Sequence, residues 1–110
     1  MERFVKGKVV VVPFPFSDLS SSKVRPALVV SALDGYDVIL CMITTRNRFD
    51  DYAISLCDSD FSSGGLKHDS MLRTNRLFSA DTAIIQKRAG KISMEKMNEV
   101  IERIIEIVKG

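Results

Sequence analysis

For about ninety residues the chain alternates short apolar runs with polar breaks, and then its period changes. "GKVVVVPFPF" is apolar and β-branched, with prolines at 13 and 15. Neither proline can donate to a ladder, so the strand is expected to end or lie at an edge there. "SDLSSSK" is a Ser-rich loop. "RPALVVS" reads as a second strand on the strength of Val29 and Val30. "LDG" turns the chain into "YDVILCMITT", a long strand from Tyr36 to about Thr45. Apolar residues fall on both of its faces, which predicts a central position in a curled sheet. "RNRFDD" is a loop and "YAISLC" a short strand. "DSDFSSGGLKHD" holds Gly64 and Gly65 and reads as the most flexible segment. "SMLRTNRLFSAD" reads as one or two strands, and "TAIIQKRAGKI" as the last strand with a turn at Gly90.

After Ser93 the spacing becomes helical. Met94, Met97, Val100, Ile101, Ile104, Ile105 and Val108 form one broad stripe. Ser93 is a suitable N-cap, Glu95 lies in the first turn, and Glu99 and Arg103 are spaced to pair. The stripe fits a terminal helix packed over the open side of a sheet, or a dimer contact. About six short strands without helical crossovers, followed by one helix, predict a mainly β fold: a small barrel rather than a parallel sheet.

Composition narrows the class. A chain of 110 residues, 45% hydrophobic and 27% charged, suits one domain over residues 1–110. No apolar run approaches the roughly 18 residues of a membrane span, and none resembles a signal peptide, so a cytoplasmic protein is expected. Cys41 and Cys57 are expected as buried thiols rather than a disulfide. The formal charge is +2. Residues 93–110 set four glutamates against three cations, which leaves +3 on the first 92. The basic residues cluster at 6–8, 23–25, 46–48, 73–76 and 87–91. Converging loops of this kind form an anion-attracting face; dispersed, they are an ordinary solvated surface.

Residue supply excludes several chemistries. The single histidine, His68, lies in a Gly-rich loop and reads as solvated. The cysteines lack the close spacing of metal ligands. "SSGGLK" lacks the loop-to-helix pattern of a phosphate loop. What remains is Arg, Thr, Ser and Asn at strand ends. Arg25 precedes Pro26, which biases it toward an extended conformation at the sheet rim. Its planar fork suits a phosphate, or a structural salt bridge to Asp18 or another carboxylate. "CMITTRN" ends the central strand with two hydroxyls, a cation and an amide, and alternation puts Thr44 and Thr45 on opposite faces. In "SMLRTNR", Arg73 and Asn75 are expected to point the same way from an extended segment. The arginine suits a phosphate and the amide a base edge; a plain sheet-surface pair is the alternative.

The pieces "GKVVVVPFPFSD", "KVRPALVVS", "CMITTRN", "GLKHDSMLRTNRLFS" and "GKIS" occur in that order. Together they resemble the MazF/PemK family of toxin endoribonucleases over nearly the whole chain. The resemblance implies an SH3-like barrel of the CcdB/PemK type with a C-terminal α-helix, in a homodimer. It implies cleavage of single-stranded RNA without metal or other cofactor, and a small antitoxin whose flexible tail covers the RNA groove. The family's key arginine maps onto Arg25 and its key threonine onto Thr44. A further family region carries arginine, a spacer and aspartate, and reads Arg73, Thr74, Asn75 here, so a charged participant is replaced by an amide.

On this reading Arg25 and Thr44 are catalytic. Phe16, Ser21, Ser22, Lys23, Arg46, Asn47, Arg73 and Asn75 line the RNA path. The sequence offers no strong protein nucleophile, so the substrate's own 2'-hydroxyl is the expected one. Arginine is a poor general base, with a pKa above ~12, which leaves water, a backbone carbonyl or a transiently deprotonated arginine to accept its proton. A non-catalytic module of the same fold, binding nucleic acid or protein, is the alternative.

Overall fold

In the computed structural model, residues 4–13, 24–45 and 51–110 are described. They form seven strands and one α-helix: β1 (Lys8–Pro13), β2 (Val24–Ala32), β3 (Asp37–Thr44), β4 (Ala53–Leu56), β5 (Phe61–Gly64), β6 (Ser70–Asp81), β7 (Lys87–Ile92) and α1 (Met94–Lys109). All seven strands belong to one sheet in the order β4-β6-β3-β2-β1-β7-β5. Its pairings are antiparallel. The sheet curls into a half-barrel, and β3 and β2 lie in its interior as the two-faced apolar pattern requires.

Alternation along the strands builds two cores. On the helix side, Val9, Leu28, Cys41, Ile43, Ile54, Leu56, Leu72 and Ile92 pack with Met97 and Val100 of α1. On the other side lie Val10, Val12, Ala27, Val29, Val38 and Leu40, with Phe4, Met42, Phe78, Ile84 and Ile85 against them. A chain of this size buries apolar surface on both faces of its sheet because one face alone gives too small a core. Arg88 lies over the Phe4 ring, 4.2 Å from its centroid, and pins the start of the described chain to β7.

The strand that sequence reading missed is β5. It pairs with β7 through Phe61↔Ile92, Ser63↔Lys91 and Gly64↔Gly90, directly after a 3-10 turn at Asp58–Asp60. The segment read as flexible is therefore partly ordered, and its Asp60 carboxylate accepts from the Cys57 amide (2.8 Å). Gly90 is not a turn but a strand residue.

The helix starts as expected: the Ser93 hydroxyl accepts from the Lys96 amide (3.1 Å). Its apolar stripe is only partly covered. Met97 and Val100 are buried, while Met94, Ile105 and Val108 are exposed. The expected Glu99–Arg103 pair is replaced by three others. Lys96 Nζ meets Glu99 (3.0 Å) and lies 3.7 Å from Asp60, and Arg103 lies 3.6 Å from Glu106. Arg103 also donates to the Asp51 carbonyl, which draws its guanidinium to the sheet. No helix among the described residues is long and apolar enough to cross a membrane.

Candidate active site

Arg25 stands near the start of β2, directly across from Val12 of β1. Val12 belongs to the core on the side away from the helix. Directly opposed residues share a face, so Arg25 lies on that side too. On β3, Leu40 and Met42 face the same way, and alternation carries Thr44 with them. The β2–β3 register pairs Ala27 with Met42. Carried two residues further, it sets Arg25 across from Thr44. On that continuation the two residues that the sequence singled out stand at one end of adjacent strands, on one face.

Their surroundings differ. Thr44 is 5% exposed and pairs with Met71 of β6. Arg25 is partly exposed, and no carboxylate among the described residues forms an ion pair with it. A guanidinium fork at a sheet rim beside a hydroxyl suits one phosphate: the fork supplies charge and two donors, the hydroxyl a third. Thr45 is exposed, in keeping with the alternation of the two threonines.

Arg73 and Asn75 have different surroundings. Between the pairs Cys41↔Leu77 and Met42↔Arg73 the β6 register slips, and Thr74, Asn75 and Arg76 stand outside the ladder. Arg73 is buried, whereas Asn75 and Arg76 are exposed. The period-two rule fails across a bulge because the inserted residues break the pleat. Arg73 lies across from Met42 on one side and Ala53 on the other. With strands about 4.8 Å apart and about 3.3 Å per residue, its Cα lies about 12 Å from that of Arg25.

Cys41 is a fully buried thiol on the helix side, and its Sγ donates to the Arg73 carbonyl (3.2 Å). Burial pushes its pKa up to about 12, against a smaller opposing pull from the Arg73 guanidinium. It is a neutral donor, not a nucleophile. Cys57 is partly exposed, and both thiols are free. His68 is exposed. Among the described residues no group of three or more His, Cys, Asp or Glu side chains is placed to hold a metal ion. The candidates Phe16, Ser21, Ser22, Lys23, Arg46 and Asn47 lie outside the described residues.

The half-barrel matches solved structures of toxins over nearly its full length. It aligns with MazF from Deinococcus radiodurans at a TM-score of 0.75 and 17% identity, covering 96% of each chain. It aligns with the Mycobacterium tuberculosis toxin MazF-mt6 at 0.73 and 15%, covering 93% of this chain and 96% of that one. A mycobacterial endoribonuclease in complex with its cognate antitoxin gives 0.76 and 15%, covering 96% and 94%. At such identities the likeness defines the class of fold, a MazF-type half-barrel with a C-terminal helix. No curated protein sequence matches the chain. The family model for the PemK-like, MazF-like toxin of type II toxin-antitoxin systems matches residues 5–108, and the chain belongs to that family.

Proposed function

We propose that the chain is an endoribonuclease toxin that cuts single-stranded RNA at a short sequence signature, with Arg25 and Thr44 at the scissile phosphate. The observation that carries this reading is the β2–β3 register: the ladder runs to Ala27↔Met42, and its continuation by two residues puts Arg25 across from Thr44. RNA brings its own nucleophile. The 2'-oxygen gives up its proton to water, a backbone carbonyl or a transiently deprotonated arginine and attacks the adjacent phosphorus. The P–O5' bond breaks, O5' takes up a proton, and the products are a 2',3'-cyclic phosphate and a 5'-hydroxyl end. No protein nucleophile and no metal-bound hydroxide is required. The protein's part is to hold the strand in line and to neutralise charge that grows on the phosphoryl oxygens. Arg25 does the second and donates a hydrogen bond to the departing O5'. Thr44 fixes a non-bridging oxygen through its hydroxyl. Lys23, Arg46 and Asn47 flank the path with Phe16, Ser21 and Ser22, while Arg73 and Asn75 act farther along it.

The same reading gives a cytoplasmic, single-domain protein that works as a homodimer and is silenced by a small antitoxin. Family membership supports the antitoxin. The exposed Met94, Ile105 and Val108 support the dimer: eleven residues make three helical turns, so Met94 and Ile105 share one side of α1.

The test is digestion of a defined single-stranded RNA in EDTA, with mass spectrometry of the ends. Cyclic phosphate and 5'-hydroxyl termini, lost in Arg25→Ala, are expected. Intact RNA, or binding without turnover, would return the chain to a non-catalytic module of the same fold.

A further inference from the structure

The bulge in β6 is held in place by side chains. The Cys41 thiol donates to the Arg73 carbonyl at 3.2 Å. One residue on, the Thr74 amide donates to the Tyr52 carbonyl at 3.2 Å, and the Thr74 hydroxyl donates to that same oxygen. A carbonyl has two lone pairs, so both bonds are accommodated. Thr74 is 1% exposed. The turn that carries Tyr52 is held from its other side by Arg103 of α1, which donates to the Asp51 carbonyl. A continuous path thus leads from the helix through the Asp51–Tyr52 turn to Thr74. The next two residues, Asn75 and Arg76, stand exposed.

A bulge re-aims side chains that a regular strand would place elsewhere. This one starts at the rung of Met42, two residues and about 7 Å along β3 from Thr44. We propose that Thr74 is a positioning residue for RNA recognition: its hydroxyl, anchored on the Tyr52 carbonyl, sets the bulge that presents Asn75 to a base beside the scissile phosphate. The proposal rests on the ribonuclease reading. Asn75 has both a donor and an acceptor, the pair needed to read the edge of an unstacked base. Arg76 adds a cation for the neighbouring phosphate. An amide on a loose segment would lose discrimination, because a hydrogen bond that can move accepts more than one base; the anchor removes that freedom.

The experiment compares cleavage of a single-stranded RNA pool, randomised around the preferred site, by wild type and four variants. Thr74→Val keeps the shape and removes the hydroxyl; Thr74→Ser keeps the hydroxyl; Asn75→Ala removes the reader; the fourth combines Thr74→Val with Asn75→Ala. Thr74→Val is expected to reduce discrimination at one base position by about tenfold, with a smaller loss of kcat on the preferred sequence. Thr74→Ser should restore the profile. Asn75→Ala should blur the same position, and the double variant should be no broader than Asn75→Ala alone. An unchanged profile in Thr74→Val, or a double variant broader than Asn75→Ala, overturns the inference. So does an unchanged profile in Asn75→Ala, which needs no folded Thr74→Val. Wild type that cleaves while Thr74→Val and Asn75→Ala keep the wild-type profile sinks this inference alone; wild type that leaves RNA intact sinks the ribonuclease reading with it.

Discussion

Gly64 and Gly90 meet backbone to backbone across β5 and β7. A Cβ built on Gly90 would lie 2.5 Å from the Ser63 carbonyl oxygen, 2.9 Å from the Gly65 nitrogen and 3.1 Å from the Gly64 Cα. The obstacle is main chain on every side, so no side chain can swing away. Gly90→Ala is expected to cost about 1–3 kcal/mol. Thermal unfolding should show a midpoint lowered by several degrees; an unchanged midpoint would mean that β5 yields at no cost.

Arg25→Lys keeps the charge and loses the fork. If the guanidinium spans two oxygens of the phosphate in the transition state, turnover should fall by about 10²-fold or more while RNA binding weakens only slightly. Single-turnover cleavage and equilibrium binding, measured on one oligonucleotide, separate the two. A lysine variant of full activity would leave Arg25 a merely electrostatic role.

Much of the fold was legible because it is written in side chains. The β-branched runs of β1 to β3 and the helical stripe after Ser93 both announce themselves through the surface they bury. β5 does not: its "FSSG" has one apolar residue, and the strand exists because two glycines let backbones approach. The same absence of a side chain made Gly90 look like a turn. Within the site, Arg25 and Thr44 could be named from their places at strand ends and from family resemblance, but their meeting depends on register. Arg73 and Asn75 were expected on one face because period two is the only rule available before a bulge is seen. Thr74 carried no signal at all, since its partner is the carbonyl of a residue 22 positions away.

Removal of one oxygen from the substrate tests the nucleophile. An RNA with hydrogen in place of the 2'-hydroxyl at the nucleotide 5' to the cut keeps every phosphate and base edge. Binding should be nearly unchanged and cleavage abolished, as read on a gel with binding followed in parallel. Normal cleavage would mean that water or a side chain attacks phosphorus directly.

Cys41 gives the chain a predictable response to alkali. Its folded pKa, raised by burial to about 12, stands above the ordinary value of 9.0. The native state therefore keeps a proton that the unfolded chain releases. This contribution to stability is fully present below pH 9 and is lost as the pH climbs from 9 toward 12, at about 1.4 kcal/mol per unit for a single group. Urea unfolding between pH 8 and 10.5 should show a steeper decline in wild type than in Cys41→Ala. Parallel slopes would show that the thiol ionises in place.

The Ser93 cap is a smaller test of the helix. Ser93→Ala removes the acceptor for the Lys96 amide and is expected to cost about 1 kcal/mol. Ser93→Asp should recover most of it, as measured by chemical denaturation.

The slipped register of β6 separates two demands that a strand normally serves together. Residues 70–73 are tied to β3 and β4 on one side of the slip, and residues 77–81 are tied to β3 on the other. An added or lost residue inside a regular strand turns every later side chain to the wrong face. Between Thr74 and Arg76 it turns none, because each flank keeps its own pairing. This short interval can therefore change in length and composition without refolding the sheet. If the chain reads RNA as proposed, a change confined to this interval would alter which base is read and leave the sheet's pairings as they are.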